Sequence, residues 1–155
     1  MIQQKDMKIL VELRQNARAQ LTTISKKTNI PISTIYDRLR NKSDNIVKKH
    51  VSLINFEKIG FSTQAQICIK SNKKCRYDLR DFLMKHQNVN SLYKINNGYD
   101  YMIEAVFRNV KDLEEFLEDL DERFTIKTKQ VYYIIDDIVK EKFFSDPLHL
   151  ELLSS

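Results

Sequence analysis

The 155-residue sequence contains only two glycines (Gly60, Gly98), two prolines (Pro31, Pro147), two cysteines (Cys68, Cys75) and no tryptophan. With glycine this scarce, neither a GxGxxG turn nor a Walker-type phosphate loop can be written, which argues against nucleotide-binding enzymes of those kinds. The two cysteines lack CxxC spacing and are too few for a disulfide scaffold, so they read as plain thiols. His50, His86 and His149 are far apart in sequence, and no metal site or cofactor is expected. No run approaches the roughly 18 apolar residues that span a membrane, and the start MIQQKDMKIL has no signal-type apolar region. The sequence therefore reads as a cytoplasmic protein without a membrane partner.

What is present is an uneven charge. Residues 1–50 carry 11 Lys and Arg against 4 Asp and Glu, net +7, whereas residues 51–155 carry 15 against 17, net −2. A basic first third on a near-neutral remainder has the character of a polyanion-binding module joined to a second domain. A lysine-rich solvated surface is the plainer alternative.

Within the basic third, Ile9, Leu10, Leu13 and Ala17 fall at helical spacing over residues 6–17, with Asp6 as an N-cap or first-turn acid. A weaker helical pattern covers residues 21–28 and stops at Asn29-Ile30-Pro31. Ser33 can cap a third helix whose apolar side carries Ile32, Ile35 and Leu39. Thr34, Asp37, Arg38 and Asn41 then gather opposite, as a recognition helix requires: Arg pairs with guanine and Asn with adenine in the major groove. Together with Ser33, these are the candidate DNA-reading residues. Lys42-Ser43-Asp44-Asn45 reads as a turn and residues 46–51 as a two-stranded wing. Lys26, Lys27, Lys42, Lys48 and Lys49 are candidate phosphate contacts.

After a connector ending in FEKIG, Phe61, Thr63, Ala65, Ile67 and Ile69 alternate with polar residues, the mark of a half-buried strand. A helix is predicted over residues 75–86, with Cys75, Leu79, Phe82 and Leu83 at its spacing, and a strand over residues 89–95. Asn97-Gly98 is a hairpin-turn signal, followed by alternating Tyr99, Tyr101, Ile103, Ala105 and Phe107. A helix with Val110, Leu113, Phe116, Leu117 and Leu120 and a β-rich run over residues 126–135 complete a β-α-β-β-α-β order, the split βαβ of ferredoxin-like folds. Its two helices can cover one sheet face only; the other needs a partner or must be polar. The expected fold class is α+β: a winged helix-turn-helix over residues 1–50, a linker over 51–60, a ferredoxin-like βαββαβ domain over 61–140 and a tail over 141–155.

Two stretches carry a family resemblance. Asp6, Ile9, Leu10, Leu13, Asn16, Ala17 and Arg18 match D-x-x-I-L-x-x-L ending in N-A-R, and Ser33, Ile35 and Arg38 partly match S-x-S-x-V-x-x-R. Gly98, Asp100 and the helix through Leu113 and Leu117 match a G-x-Y/F-D strand followed by D-x-x-x-L-x-x-F-L. In both, the chain resembles the Lrp/AsnC (feast/famine) transcription regulators over roughly residues 5–140. The resemblance implies a non-enzymatic, sequence-specific regulator of double-stranded DNA, a homodimer paired sheet to sheet, and assembly as high as an octamer. It also implies an amino-acid or related effector near the G-x-Y-D turn, making Asn97, Gly98 and Asp100 candidate effector residues; a plain hairpin whose aspartate caps the turn is the alternative. The departure lies before the wing, where the family usually has glycine and this chain has Asn45.

Two other functions share parts of this plan. A siroheme-type, haem-pathway decarboxylase would need His86 and Arg76, Arg80, Arg108 and Arg123 to converge, and their spacing gives no sign of it. An RNA-binding module would need exposed aromatics on the central strands, which Gly98-Tyr99-Asp100-Tyr101 imitates only faintly.

Overall fold

The computed structural model describes residues 3–148, and of residues 42–45 the backbone only. The chain divides into two compact units, Met1–Leu53 with Ile138–Ser155, and Ile54–Asp137.

The first unit holds three helices: α1 (Gln4–Gln15), α2 (Leu21–Thr28) and α3 (Ile32–Ile46). Asp6, in the first turn of α1, accepts a hydrogen bond from the Gln3 backbone N–H at 2.9 Å, supplying an acceptor to a donor the helix leaves orphaned. α2 ends at Asn29, whose left-handed backbone turns the chain toward Pro31. Ile9, Ile24, Ile30 and Ile35 form the core, with Leu13, Leu21 and Leu39 packed around it. Burying each of these side chains contributes on the order of 2 kcal/mol.

Three expectations need correction here. α3 begins at Ile32, so Ser33 lies inside its first turn; the Pro31 carbonyl accepts the first helical bond, from Ile35 N–H at 3.0 Å. Ile32 is 44% exposed and does not share the buried side of Ile35. The turn expected at residues 42–45 is helical, and among the described residues no strand lies between α3 and the first sheet strand, so no wing ladder forms. Residues 41–46, NKSDNI, contain neither glycine nor proline, so nothing in them compels α3 to stop. Ile46 and Val47 instead line a small apolar cleft with Ile9, Leu10 and Leu39.

The second unit is a four-stranded antiparallel sheet in the order β2-β3-β1-β4, built from β1 (Thr63–Ser71), β2 (Val89–Lys94), β3 (Tyr101–Phe107) and β4 (Ile126–Tyr133). α4 (Arg76–Lys85) and α5 (Val110–Arg123) complete the ferredoxin-like β-α-β-β-α-β order. Ala65, Ile67 and Ile69 of β1 and Ile103, Ala105 and Phe107 of β3 meet Leu79, Leu83, Leu113, Phe116 and Leu120 of the helices in one core. The Asn109 side chain caps α5 by accepting from Asp112 N–H at 2.9 Å. The opposite sheet face pairs Gln66 with Glu104 and Tyr132, and Cys68 with Met102 and Gln130, a mixed surface of polar and soft apolar groups. Among the described residues, no helix is long and apolar enough to cross a membrane.

Candidate functional site

The outward side of α3 is set by which residues the core takes. Ile35 is fully buried and Leu39 packs beside it while Ile32 is exposed, so at 100° per residue the exposed side centres opposite Ile35 and Leu39. Ser33, Tyr36, Asp37, Arg40 and Asn41 lie there, all exposed. Thr34 is half-buried at its flank. Tyr36 and Arg40 are therefore members of this face that the sequence reading missed; treating Ile32 as a core residue had rotated the expected face away from them.

Arg38, expected on that face, is turned the other way. Its Nη1 donates to Asp6 Oδ1 at 2.5 Å and its Nη2 to Gln3 Oε1 at 2.6 Å, so α3 grips the N-terminus of α1. Asp6 is 5% exposed and the Arg38 side chain 21%, which makes this a largely desolvated pair. Lys27 donates to Glu12 at 2.7 Å, though half of its side chain stays open to solvent. Lys26, Lys48 and Lys49 are exposed, and the Lys42 side chain lies outside the described residues.

At the other candidate site, Asn97 (φ 57°) and Gly98 (φ 86°) occupy the centre of the β2–β3 turn, closed by Tyr99 N–H donating to the Asn96 carbonyl at 3.3 Å. Positive φ at both central residues matches a type I′ hairpin. Both are exposed; Asp100 points inward and is 7% exposed. The sheet irregularity between Lys70 and Ser71 directs the Ser71 backbone N–H to Asp100 Oδ2 at 2.9 Å, and Ser71 Oγ approaches the same oxygen at 3.3 Å. Arg76 Nη2 and Lys70 Nζ lie 2.8 and 3.3 Å from Oδ1. Burial pushes the Asp100 carboxyl up, but the Ser71 N–H, the Lys70 hydrogen bond and the Arg76 charge outweigh it and hold the group below its ordinary value. The carboxylate is thus satisfied by its own chain, whereas Arg76 Nε is buried without a hydrogen-bond partner among the described residues.

Of the residues a decarboxylase would use, Arg123 lies near His86, over the Phe82 ring against which the His86 ring packs, whereas Arg76 pairs with Asp100 and Arg108 lies over Phe61. Among the described residues there is no cluster of three metal-ligating side chains.

A helix-turn-helix head with a polar, partly cationic recognition face, joined to a ferredoxin-like domain, defines a two-domain DNA-binding transcription regulator. The winged helix-turn-helix DNA-binding family matches residues 2–41, and the Lrp/AsnC ligand binding domain matches residues 64–142. The chain belongs to the Lrp/AsnC family. It is 28% identical over 143 residues to an HTH-type transcriptional regulator of Pyrococcus horikoshii, covering 92% of this chain and 96% of that one. It is 22% identical to the glutamate uptake regulatory protein of Zymomonas mobilis, over 86% of this chain and 84% of that one. Among solved structures, a transcriptional regulator of Neisseria meningitidis in complex with L-Met matches with a TM-score of 0.85 at 24% identity, over 96% of this chain and 97% of that one. AsnC of E. coli matches with a TM-score of 0.81 at 18% identity, over 93% and 99%. The relatives give no support to the decarboxylase or RNA-binding alternatives.

Proposed function

We propose that this regulator binds specific DNA sequences as a homodimer and that an amino acid or related metabolite modulates the binding. The observation that carries the reading is the exposed α3 face, where Ser33, Asp37, Arg40 and Asn41 stand clear of the core. These side chains, with Thr34 at the edge, read base edges, while Lys26, Lys48 and Lys49 contact phosphates. Arg38 holds α3 in place through Asp6 instead of touching bases. The mixed sheet face around Gln66, Cys68 and Met102 is the surface on which two copies pair, presenting two α3 helices to major grooves about one helical turn, or roughly 10 bp, apart. Four such dimers closing into an octamer is a further step of the same reading, as is action in the cytoplasm.

For the effector, the exposed N–H groups at the Asn97-Gly98 turn suit a carboxylate, and Asp100 positions that turn from beneath. The L-Met complex of the Neisseria relative supports an amino acid as the class of ligand. The test selects duplexes from random DNA and compares wild type with Arg40→Ala, Asn41→Ala and Lys48→Ala. The base-reading variants should lose about 1–3 kcal/mol on selected sites only, and the lysine variant should weaken all sequences alike. Equal affinity of wild type for selected and random duplexes would defeat the reading.

A further inference from the structure

The chain leaves the DNA-binding unit at Leu53 and re-enters it at Ile138, so that unit is discontinuous and connected twice to the second unit. Its returning segment is held by specific contacts. Arg14, in the last turn of α1, forms an ion pair with Glu141 and donates from Nε to the Phe143 carbonyl at 3.1 Å. Gln15 Nε2 donates to the Ser145 carbonyl at 2.7 Å. Phe144 lines a cleft of about 420 Å³ together with Leu10, Leu13, Ala17 and Val47. Ser145 N–H and Oγ both donate to the Lys142 carbonyl, at 3.2 and 2.6 Å, which closes the segment into a turn.

The backbone of this segment is strained in a way that only contacts explain. Glu141 and Phe144 both adopt left-handed φ, 55° and 62°. For a bulky residue such as Phe that conformation is disfavoured, by about 1–2 kcal/mol, and persists only where surrounding structure over-determines it. The bonds from Arg14 and Gln15 and the position of Phe144 beside Leu10, Leu13 and Lys48 on the wall of the cleft provide that structure. A free tail has no reason to keep two such residues.

We infer that residues 141–145 are a docking strap: they fix the C-terminal end of α1 and give the DNA-binding unit a second anchored connection, which lowers the freedom each recognition helix loses when a dimer grips its site. This rests on the dimeric DNA-binding reading above. A head held by one connection must surrender more orientational freedom on binding than a head held by two, so releasing the strap weakens binding although Arg14 and Phe144 are not among the proposed DNA contacts.

The test uses the full chain carrying Arg14→Ala and Phe144→Ala together, and a second form truncated after Lys140. Amide exchange is followed over α1 with β1–β4 as the internal reference for folding, and affinity is measured on a duplex selected with wild type. Faster exchange at the end of α1, with unchanged exchange in β1–β4 and affinity reduced about tenfold, supports the strap. Unchanged exchange in α1 overturns the docking. Faster exchange with affinity unchanged overturns its role in binding. If wild type itself shows no preference for any duplex, it is the regulator reading that fails, and the exchange result separates that failure from the strap's.

Discussion

Replacing Arg38 by alanine distinguishes a structural clamp from a DNA-reading side chain. The change deletes two charge-assisted hydrogen bonds, to Asp6 Oδ1 at 2.5 Å and Gln3 Oε1 at 2.6 Å, and strips the nearly buried Asp6 of its guanidinium counter-charge. Breaking a fully buried pair costs about 3–5 kcal/mol. The Arg38 side chain keeps 21% of its exposure, so water screens part of the interaction, and the first unit should lose about 2 kcal/mol. In the full-length protein this is read by native-state amide exchange: protection of Ile24 and Ile35 should fall roughly 30-fold while the β1–β4 amides stay unchanged. Arg38→Lys, which retains the charge but loses the two-pronged geometry, should fall between the two. Protection within about twofold of wild type, together with loss of sequence preference, would refute the clamp and return Arg38 to the DNA face.

Gly98→Ala places a Cβ at φ 86°; nothing lies within 4 Å of it, so the cost is backbone strain, about 1–2 kcal/mol, visible as a lower melting temperature of the second unit, with Gly98→Asn milder. Burial lowers the His86 pKa from its ordinary 6.5, with Asp119 opposing and Arg123 assisting. The folded state therefore favours neutral His86, and its contribution to stability is complete above 6.5 and lost as pH falls through the lower folded value. Melting temperatures from pH 8 to pH 5 should show this loss, and His86→Gln should flatten it. The Asp100 carboxyl is likewise held below its ordinary 3.8, so its stabilisation is full above that value and disappears as pH falls through the lower one. Acid unfolding of Asp100→Asn should lack that component, and an unaltered acid limb would contradict the arrangement around Ser71 and Arg76.

The second unit was largely legible because strand periodicity is unforgiving. Thr63, Ala65, Ile67 and Ile69 had to face one way, and Tyr101, Ile103, Ala105 and Phe107 likewise, since a one-residue slip would turn each set to the other face. The first unit was legible in its helices but not in its facing. Over the roughly four turns of α3, assigning Ile32 to the core turned the expected outward face toward Arg38 and away from Arg40. The wing failed for a related reason: its turn was inferred from a run of Lys, Ser, Asp and Asn, residues that favour turns without forbidding helix. The tail gave no readable period at all. Its docking depends on Arg14 and Gln15, some 130 positions away in sequence, and no local pattern encodes such a contact.

The most direct test of the account is fluorescence anisotropy of wild type, Arg40→Ala and Asn41→Ala on a selected duplex and a random one, across a salt series. Affinity should fall steeply with salt, by about 0.9 logarithmic units per tenfold salt for each phosphate neutralised, and both substitutions should reduce the preference for the selected duplex by roughly 10-fold or more. Affinities for the two duplexes that agree at every salt concentration, or a preference that survives both substitutions, would contradict it.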